Sequence, residues 1–184
     1  MVVPGEITEI VGRRSSGRTS ALIACLADVT RAGGIAGLID TEDAFDVESA
    51  ARAGVELRRL LWVRCGHVPR RVALAAVDML ARCRGFAVIA WDTGDTPPRL
   101  PLGAAFRLKL AVRQSGAALL IVTPRRIAGA AATLAVEATR EDTRWEGAPP
   151  LPARLGGVRM GLKIVRSRRG REREPAEPWD LYAS

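Results

Sequence analysis

The stretch Ile7-Thr-Glu-Ile-Val-Gly-Arg-Arg-Ser-Ser-Gly-Arg-Thr19 decides the fold of this chain. Its first five residues alternate in the manner of a strand, and a helical pattern continues from about residue 19 to residue 31. A glycine-rich loop between a strand and a helix is the setting in which the pattern GxxxxGKS/T binds phosphate. Gly12 and Gly17 fit this pattern, whereas Arg18 stands at its lysine position.

The residue types of this loop predict a nucleotide-phosphate site. Backbone N–H groups in such a turn surround phosphate oxygens, and the helix N-terminus adds positive charge. A guanidinium is planar, bulkier than an ammonium group and prefers two-point contacts. Arg18 therefore predicts weak or absent hydrolysis or, alternatively, a pocket that stays empty. The candidate nucleotide-binding residues are Gly12, Ser15, Ser16, Gly17, Arg18, Thr19 and Asp92.

The rest of the chain alternates short apolar runs with helical patterns. Strands are predicted at 35–39, 60–63, 86–91 and 117–122, and helices at 47–53, 70–84 and 103–114. After residue 124, three strands without intervening helices are predicted at 134–139, 158–165 and 179–182. The fold class is therefore α/β, with a mostly parallel central sheet, helices on both faces and an antiparallel C-terminal extension. We expect one domain over residues 1–184, with a parallel core at 1–123 and mainly antiparallel strands and a basic hairpin at 133–184.

Three acidic residues follow predicted strands, at the edge where open α/β sheets bind ligands. They are Asp40, Glu42 and Asp92. Asp92 ends an apolar strand and is placed to bind Mg²⁺ together with the Thr19 hydroxyl, while Glu42 is the candidate catalytic base that would activate water. Each acid alone is equally compatible with a capping or solvated role. Following a phosphate loop, they favour a site for ATP and Mg²⁺.

Composition excludes several other classes of protein. Cys25, Cys65 and Cys83 lie far apart and His67 is the single histidine, so we expect no structural metal, disulfide framework or catalytic triad. No apolar stretch is long enough to cross a bilayer, and the N-terminus lacks the pattern of a signal peptide. We therefore expect a cytoplasmic protein without membrane contact.

Basic residues dominate the C-terminal region, and the formal net charge of +8 suggests an anionic partner. Candidate contacts to DNA or to an acidic protein surface are Arg159, Lys163, Arg166, Arg168, Arg169 and Arg171. A solvated hairpin in an arginine-rich protein is an equally good interpretation. Aromatic residues make up 4% of the chain, which argues against stacking of nucleic-acid bases along a groove.

The chain resembles the core of the bacterial RecA recombinases. The stretches that carry the resemblance are 5–19, 38–46, 51–55, 60–61 and 161–168. The resemblance implies that Glu42 takes the place of the catalytic glutamate and Asp92 that of the Walker B aspartate. It also implies that Arg166 and Arg168 correspond to basic residues that reach the nucleotide of a neighbouring subunit.

Departures from the RecA pattern indicate which RecA-like proteins the chain resembles most. Arg18 replaces the lysine, and Thr123-Pro124 replaces an Asn-Gln pair that senses the γ-phosphate. We also expect the N-terminal polymerisation helix of the RecA family to be lacking before the first strand. In these respects the chain looks more like the ImuA group of RecA-like accessory proteins. That resemblance implies a role in DNA repair and SOS mutagenesis, through contact with RecA or with translesion polymerase components.

The ImuA resemblance further implies that single-stranded DNA is a candidate ligand and that RecA-type filaments do not form from this chain alone. An active DNA-dependent ATPase of the recombinase type remains the alternative, favoured by Thr19, Glu42 and Asp92 together. A P-loop nucleotide or small-molecule kinase is a weaker alternative, because the chain shows no lid or acceptor pocket.

Overall fold

The computed structural model describes residues 2–147, 154–168 and 176–182. The strands are β1 Ile7–Val11, β2 Ile35–Asp40, β3 Leu60–Arg64, β4 Phe86–Asp92, β5 Ala118–Thr123, β6 Leu134–Glu146, β7 Arg154–Ser167 and β8 Ala176–Tyr182. The α-helices are α1 Arg18–Arg31, α2 Val47–Arg52, α3 Arg70–Arg82 and α4 Leu102–Ser115, and short 3₁₀ turns lie at Leu57–Arg59 and Gly129–Ala131. No helix in this described part of the chain is long and apolar enough to span a membrane.

A single sheet joins the strands in the order β3-β2-β4-β5-β1-β6-β7-β8. The pairs from β3 to β6 are all parallel, whereas β6 with β7 and β7 with β8 are antiparallel. The predicted α/β class, with a mostly parallel sheet and an antiparallel C-terminal extension, is confirmed. Because β1, β2, β4 and β5 run in the same direction, the loops that follow them meet at one edge of the sheet.

Apolar side chains fill the space between the sheet and the helices on both faces. Ile7, Ile89 and Ile121 are fully buried in the cluster that includes α3 and α4 residues. Leu38 and Leu120 lie in the cluster on the other face, beneath α1. Strands that are covered on both sides read as continuous apolar runs, and this pattern made the central strands predictable.

The strands β6 and β7 extend well beyond the predicted ranges 134–139 and 158–165. They span 13 and 14 residues and pair with each other from Leu134–Ser167 to Glu146–Arg154. Backbone hydrogen bonds between antiparallel strands do not require apolar alternation. The charged segment 140–144 therefore joins the strand without the periodic pattern on which the prediction relied.

The two tryptophans on the parallel strands differ in burial. Trp62 lies on β3, the edge strand, where it is partly exposed and has the Arg64 guanidinium 4.7 Å from its ring centroid. Trp91 on β4 is fully buried, as expected of a central strand.

The three cysteines also differ in exposure. Cys83 is exposed, because it follows the C-terminus of α3, whereas Cys25 and Cys65 are buried.

A buried carboxylate joins the central strand to the segment that follows β5. Glu9 on β1 is fully buried, and its Oε1 accepts hydrogen bonds of 2.7 Å from the N–H groups of Ile127 and Ala128. Its Oε2 lies 3.5 Å from Nε of Arg126. Glu9 therefore supplies the acceptors that the backbone of this turn would otherwise lack. Strand alternation gave no reason to single it out.

Replacing Glu9 by alanine is expected to lower the free energy of unfolding by about 2–4 kcal/mol, because the partly buried Ile127 N–H and the buried Ala128 N–H lose their acceptor. Glu9→Gln keeps one carbonyl oxygen as an acceptor, so we expect a loss of less than about half that size. Urea unfolding followed by circular dichroism measures both variants. A loss below about 0.5 kcal/mol in Glu9→Ala would show that these hydrogen bonds do not hold the turn.

Candidate functional site

The loops after β1, β2 and β4 form one rim at the carboxyl edge of the sheet. The Gly12 N–H donates to the Thr123 carbonyl at 3.1 Å, which ties the phosphate loop to the end of β5. The Thr41 N–H donates to the Asp92 carbonyl at 3.1 Å, which ties the loop after β2 to the end of β4. The structure thus gathers the predicted site residues from separate parts of the sequence.

The phosphate loop has the tight backbone that its glycines allow. Gly17 has a φ of 91° at the N-cap of α1, and Ser15 has a φ of 61°. The buried side chain of Met160 on β7 occupies the space that a Cβ on Gly17 would need. Glycine at position 17 is therefore required both by the left-handed backbone and by close packing against the C-terminal strands.

Arg18 is bound inside the protein and does not project from the loop. Its side chain is 9% exposed. Its Nη1 donates to the Gly12 carbonyl at 2.7 Å, and its Nη2 lies 2.5 Å from Oδ1 of Asp95. Asp95 also pairs with Nε of the exposed Arg14 at 3.2 Å. The cation expected to face a phosphate is already satisfied by protein oxygens.

Asp95 was missed by the sequence interpretation. It stands in a short loop of turn-forming residues, where an aspartate is ordinarily explained by the turn itself. The signal that could have revealed it was the arginine substitution in the phosphate loop, since a buried guanidinium requires a carboxylate partner. Sequence spacing alone does not show which acid supplies it.

Glu42 lies against the same turn and is held from two sides. Its Oε1 accepts from the Asp95 N–H at 3.1 Å and pairs with Nη2 of Arg70 at 3.3 Å. Its carboxyl group occupies the space that a Cβ on Gly94 would need. The side chain is 34% exposed, so solvent reaches the carboxylate. The structure brings Glu42 to the rim, and its catalytic role stays a prediction.

Asp92 is largely shielded at the end of β4, and its carboxylate accepts the Gly94 N–H at 2.9 Å. Burial raises the pKa of Asp92 above its ordinary value. The Gly94 hydrogen bond and the charge of Arg18 lower this pKa and only partly offset the effect of burial. A shielded carboxyl group with a perturbed pKa at a sheet edge is typical of functional sites.

Asp40 has a structural role. It is 3% exposed, and its oxygens accept hydrogen bonds from the N–H groups of Ala44 and Phe45 at 3.2 and 2.9 Å. The Trp62 indole N–H donates to the same carboxylate at 3.3 Å. These bonds fold the loop after β2, so the capping interpretation describes Asp40.

The phosphate loop has features that favour a bound phosphate and features that oppose it. The buried Ser16 hydroxyl has no hydrogen-bond partner among the described residues, which is the condition expected of a group that meets a ligand oxygen. Thr19 is exposed at the second residue of α1. Against this, the Arg18 charge is bound to Asp95, whose carboxylate would repel a phosphate. In this arrangement Arg18 is not free to contact a phosphate.

Four of the six predicted basic contact residues lie in the described part of the chain, spread along β7 and its end. Arg159, Lys163 and Arg166 lie along β7, and Arg168 follows its end, whereas Arg169 and Arg171 lie outside the described residues. Nη1 of Arg166 donates to the Gly129 carbonyl at 3.4 Å, and the Arg168 N–H donates to Thr133.

Acidic residues of β6 oppose two of these basic positions. In the β6–β7 register Glu137 is paired with Lys163, and Asp142 with Arg159. Residues directly opposite each other in a sheet have Cβ atoms about 5 Å apart. The sheet thus places opposite charges beside residues that looked uniformly basic in sequence, and a role in DNA contact stays a prediction.

Asp92→Asn is expected to unfold at a higher urea concentration than the unaltered protein at pH 7, because the folded state then holds no shielded charge at this position. Folding raises the pKa of Asp92, so its ionisation disfavours the folded state as the pH rises above about 4. The advantage of the variant should therefore vanish as the pH falls.

Asp43→Asn is the matched control, since hydrogen bonds from Arg64 at 2.6 and 2.9 Å lower the pKa of Asp43. Its contribution to stability is present above the unfolded-state pKa and is lost as the pH falls. We expect Asp43→Asn to unfold at a lower urea concentration than the unaltered protein at pH 7 and to match it in acid. Parallel pH profiles for the two variants would contradict this description of the rim.

Known proteins are similar to this chain over part of its length. The RecA N-terminal domain family matches residues 2–96. RecA of Roseiflexus sp. strain RS-1 is 33% identical over 139 residues, which cover 67% of this chain and 39% of that protein. RecA of Tropheryma whipplei strain Twist is 40% identical over 89 residues, or 48% of this chain and 20% of that protein. RecA of Chlorobaculum parvum strain DSM 263 is 44% identical over 89 residues, or 48% and 25%.

The chain spans about two-fifths or less of the length of these relatives. The matched range 2–96 nevertheless contains the phosphate loop, Glu42, Asp92 and Asp95, which are the residues that meet at the rim. The strand order and the position of the phosphate loop agree with a RecA-like core. This chain belongs to the RecA family.

Proposed function

We propose that this RecA-family domain is an accessory protein of DNA repair and SOS-type translesion mutagenesis. It acts through protein contacts, with RecA or components of an error-prone polymerase complex as partners, and its ATP hydrolysis is weak or absent. The observation that carries the proposal is the pairing of Arg18 with the Gly12 carbonyl and with Asp95. Membership of the RecA family supports a role in DNA repair, and the resemblance to the ImuA group supports the narrower role.

The Arg18–Asp95 pair opposes nucleotide binding through its own stability. To contact a phosphate, the guanidinium must leave a 2.5 Å ion pair in which its side chain is 9% exposed. Because the Asp95 side chain is 38% exposed, solvent screens the pair, and breaking it costs on the order of 1–2 kcal/mol. A cost of that size lowers affinity by about tenfold.

Asp95 and Glu42 further disfavour hydrolysis. The Asp95 carboxylate lies beside the phosphate loop, where its charge repels an anionic ligand. Glu42, the candidate base, accepts a hydrogen bond from the Asp95 N–H and pairs with Arg70. A carboxylate held by these two partners is not free to turn toward a water molecule.

The rival function is a DNA-dependent ATPase of the recombinase type. The unpartnered hydroxyl of Ser16 among the described residues and the raised pKa of Asp92 favour it, because both are expected where a ligand completes the site. Under this rival, nucleotide binding would separate Arg18 from Asp95 and free Glu42.

Calorimetric titration with Mg-ATP separates the two functions. We expect no measurable binding to the unaltered protein and clear binding to the variant that combines Arg18→Lys with Asp95→Ala, with affinity higher by at least about tenfold. Asp78→Ala is the matched control, since Asp78 also pairs with two arginines, Arg82 and Arg107, but on α3. Tight binding by the unaltered protein, with turnover that rises with single-stranded DNA and vanishes in Glu42→Ala, would contradict the proposal.

Complementation in cells tests the accessory role. Deletion of the gene is expected to reduce damage-induced mutation in the organism that encodes it. The Thr19→Ala and Glu42→Gln variants should restore mutation to the level of the unaltered gene, because the proposed role needs no hydrolysis. Mutation frequency after ultraviolet exposure measures this. Failure of both well-folded variants would favour the ATPase, and an unchanged frequency on deletion would remove the accessory role.

A further inference from the structure

An apolar stripe lies on α4, on the side of that helix that faces away from the sheet. Leu102, Phe106 and Leu110 are spaced four residues apart, and 58%, 42% and 55% of their surfaces are exposed. The opposite side of the helix packs into the core through small and aliphatic residues such as Ala105 and Leu108, both fully buried. Exposed large apolar side chains in a continuous row mark a surface that binds another molecule.

Basic side chains lie within the same stripe. At about 100° of rotation per residue, Lys109 and Arg113 project on the same side of α4 as Leu102, Phe106 and Leu110. The sequence of α4 contains no acidic residue. The surface is therefore both apolar and cationic.

The acid that faces α4 from α3 does not neutralise this surface. Asp78 pairs with Arg82 at 3.2 Å and with Arg107 at 3.1 Å. Both of its oxygens are occupied by these guanidinium groups, one from each helix. Lys109 and Arg113 thus keep charge available for a partner.

We propose that the α4 stripe is a docking surface for an acidic amphipathic segment of a protein partner. Leucine and phenylalanine side chains spaced four residues apart match the apolar face of a helical or extended peptide. The two cations on the same side of α4, Lys109 and Arg113, match carboxylates on the edges of that segment. This inference rests on the proposed function, because it names the surface through which a protein contact is made.

Other occupants fit the stripe less well. A second copy of this chain would place Lys109 and Arg113 against identical cations. Helices that lie in a membrane surface carry their cations on the face opposite the apolar one, whereas here the cations lie within the apolar stripe. Nucleic acid would engage Lys109 and Arg113 but would leave Leu102 and Leu110 without a role, since stacking uses aromatic rings.

Fluorescence anisotropy with labelled peptides of about 18 residues, five helical turns, tests the surface. The first probe carries leucines four residues apart with glutamates between them. The second has the same composition in scrambled order, and the third replaces glutamate by lysine. We expect the first probe to bind at least about tenfold more tightly than the other two, and its affinity to fall with added salt.

The combined variant Phe106→Ser and Leu110→Ser is expected to lose at least about tenfold in affinity for the first probe. Leu61→Ser, on β3 and 45% exposed, is the matched control and should bind as the unaltered protein does. Circular dichroism melting confirms that each variant is folded. Equal binding of the three probes, no binding of the first, or unchanged binding in the combined variant would overturn the proposal.

The rival occupants have readouts of their own. Self-association, binding to anionic lipid vesicles and binding to single-stranded DNA are measured in the same combined variant. If one of these is lost while peptide binding is unaffected, the stripe binds a second copy, a membrane or DNA, respectively, and the peptide proposal is wrong. In cells, normal damage-induced mutation in the combined variant would overturn the docking surface and leave the proposed function standing. If deleting the gene has no effect on mutation, the proposed function is wrong, and the anisotropy measurements alone decide whether the stripe binds the acidic peptide.

Discussion

The ion pair between Arg18 and Asp95 determines what this rim of the sheet can do. Parallel strands bring the phosphate loop and the turn after β4 together, and the pair then binds the loop cation to a protein carboxylate. Through its N–H group Asp95 also holds Glu42, which Arg70 contacts from α3. The turn at Asp95 thereby links the end of β4, the phosphate loop, the loop that carries Glu42 and, through Arg70, the helix α3.

Much of the fold was predictable because buried strands and helices show characteristic patterns of apolar residues in the sequence. The strands β2, β4 and β5 are covered on both faces and read as apolar runs, while β1 shows the alternation of a strand. The length of the β6–β7 pair was not predictable, since residues 140–146 are largely charged and their pairing is satisfied by the backbone. Glu9 escaped notice for a related reason, because its acceptors serve a turn more than a hundred residues away.

The position of the site was predictable, but the ion pairs and hydrogen bonds between its side chains were not. Strand ends and the glycine pattern placed Gly17, Glu42 and Asp92 at one edge, and the structure brings them there. Sequence spacing does not record which side chains touch, so neither Asp95 nor the structural role of Asp40 could be derived. The basic C-terminal residues show the same limit, since opposing acids on β6 become visible only through the strand register.

A double-mutant cycle of Arg18→Met and Asp95→Ala tests the central claim most directly. Urea unfolding of the four proteins, with and without Mg-ATP, gives the coupling free energy between the two side chains. We predict a coupling of at least about 1 kcal/mol that Mg-ATP does not change. A coupling near zero, or one that disappears when Mg-ATP is added, would show that Arg18 is not held by Asp95 and that the loop serves a nucleotide.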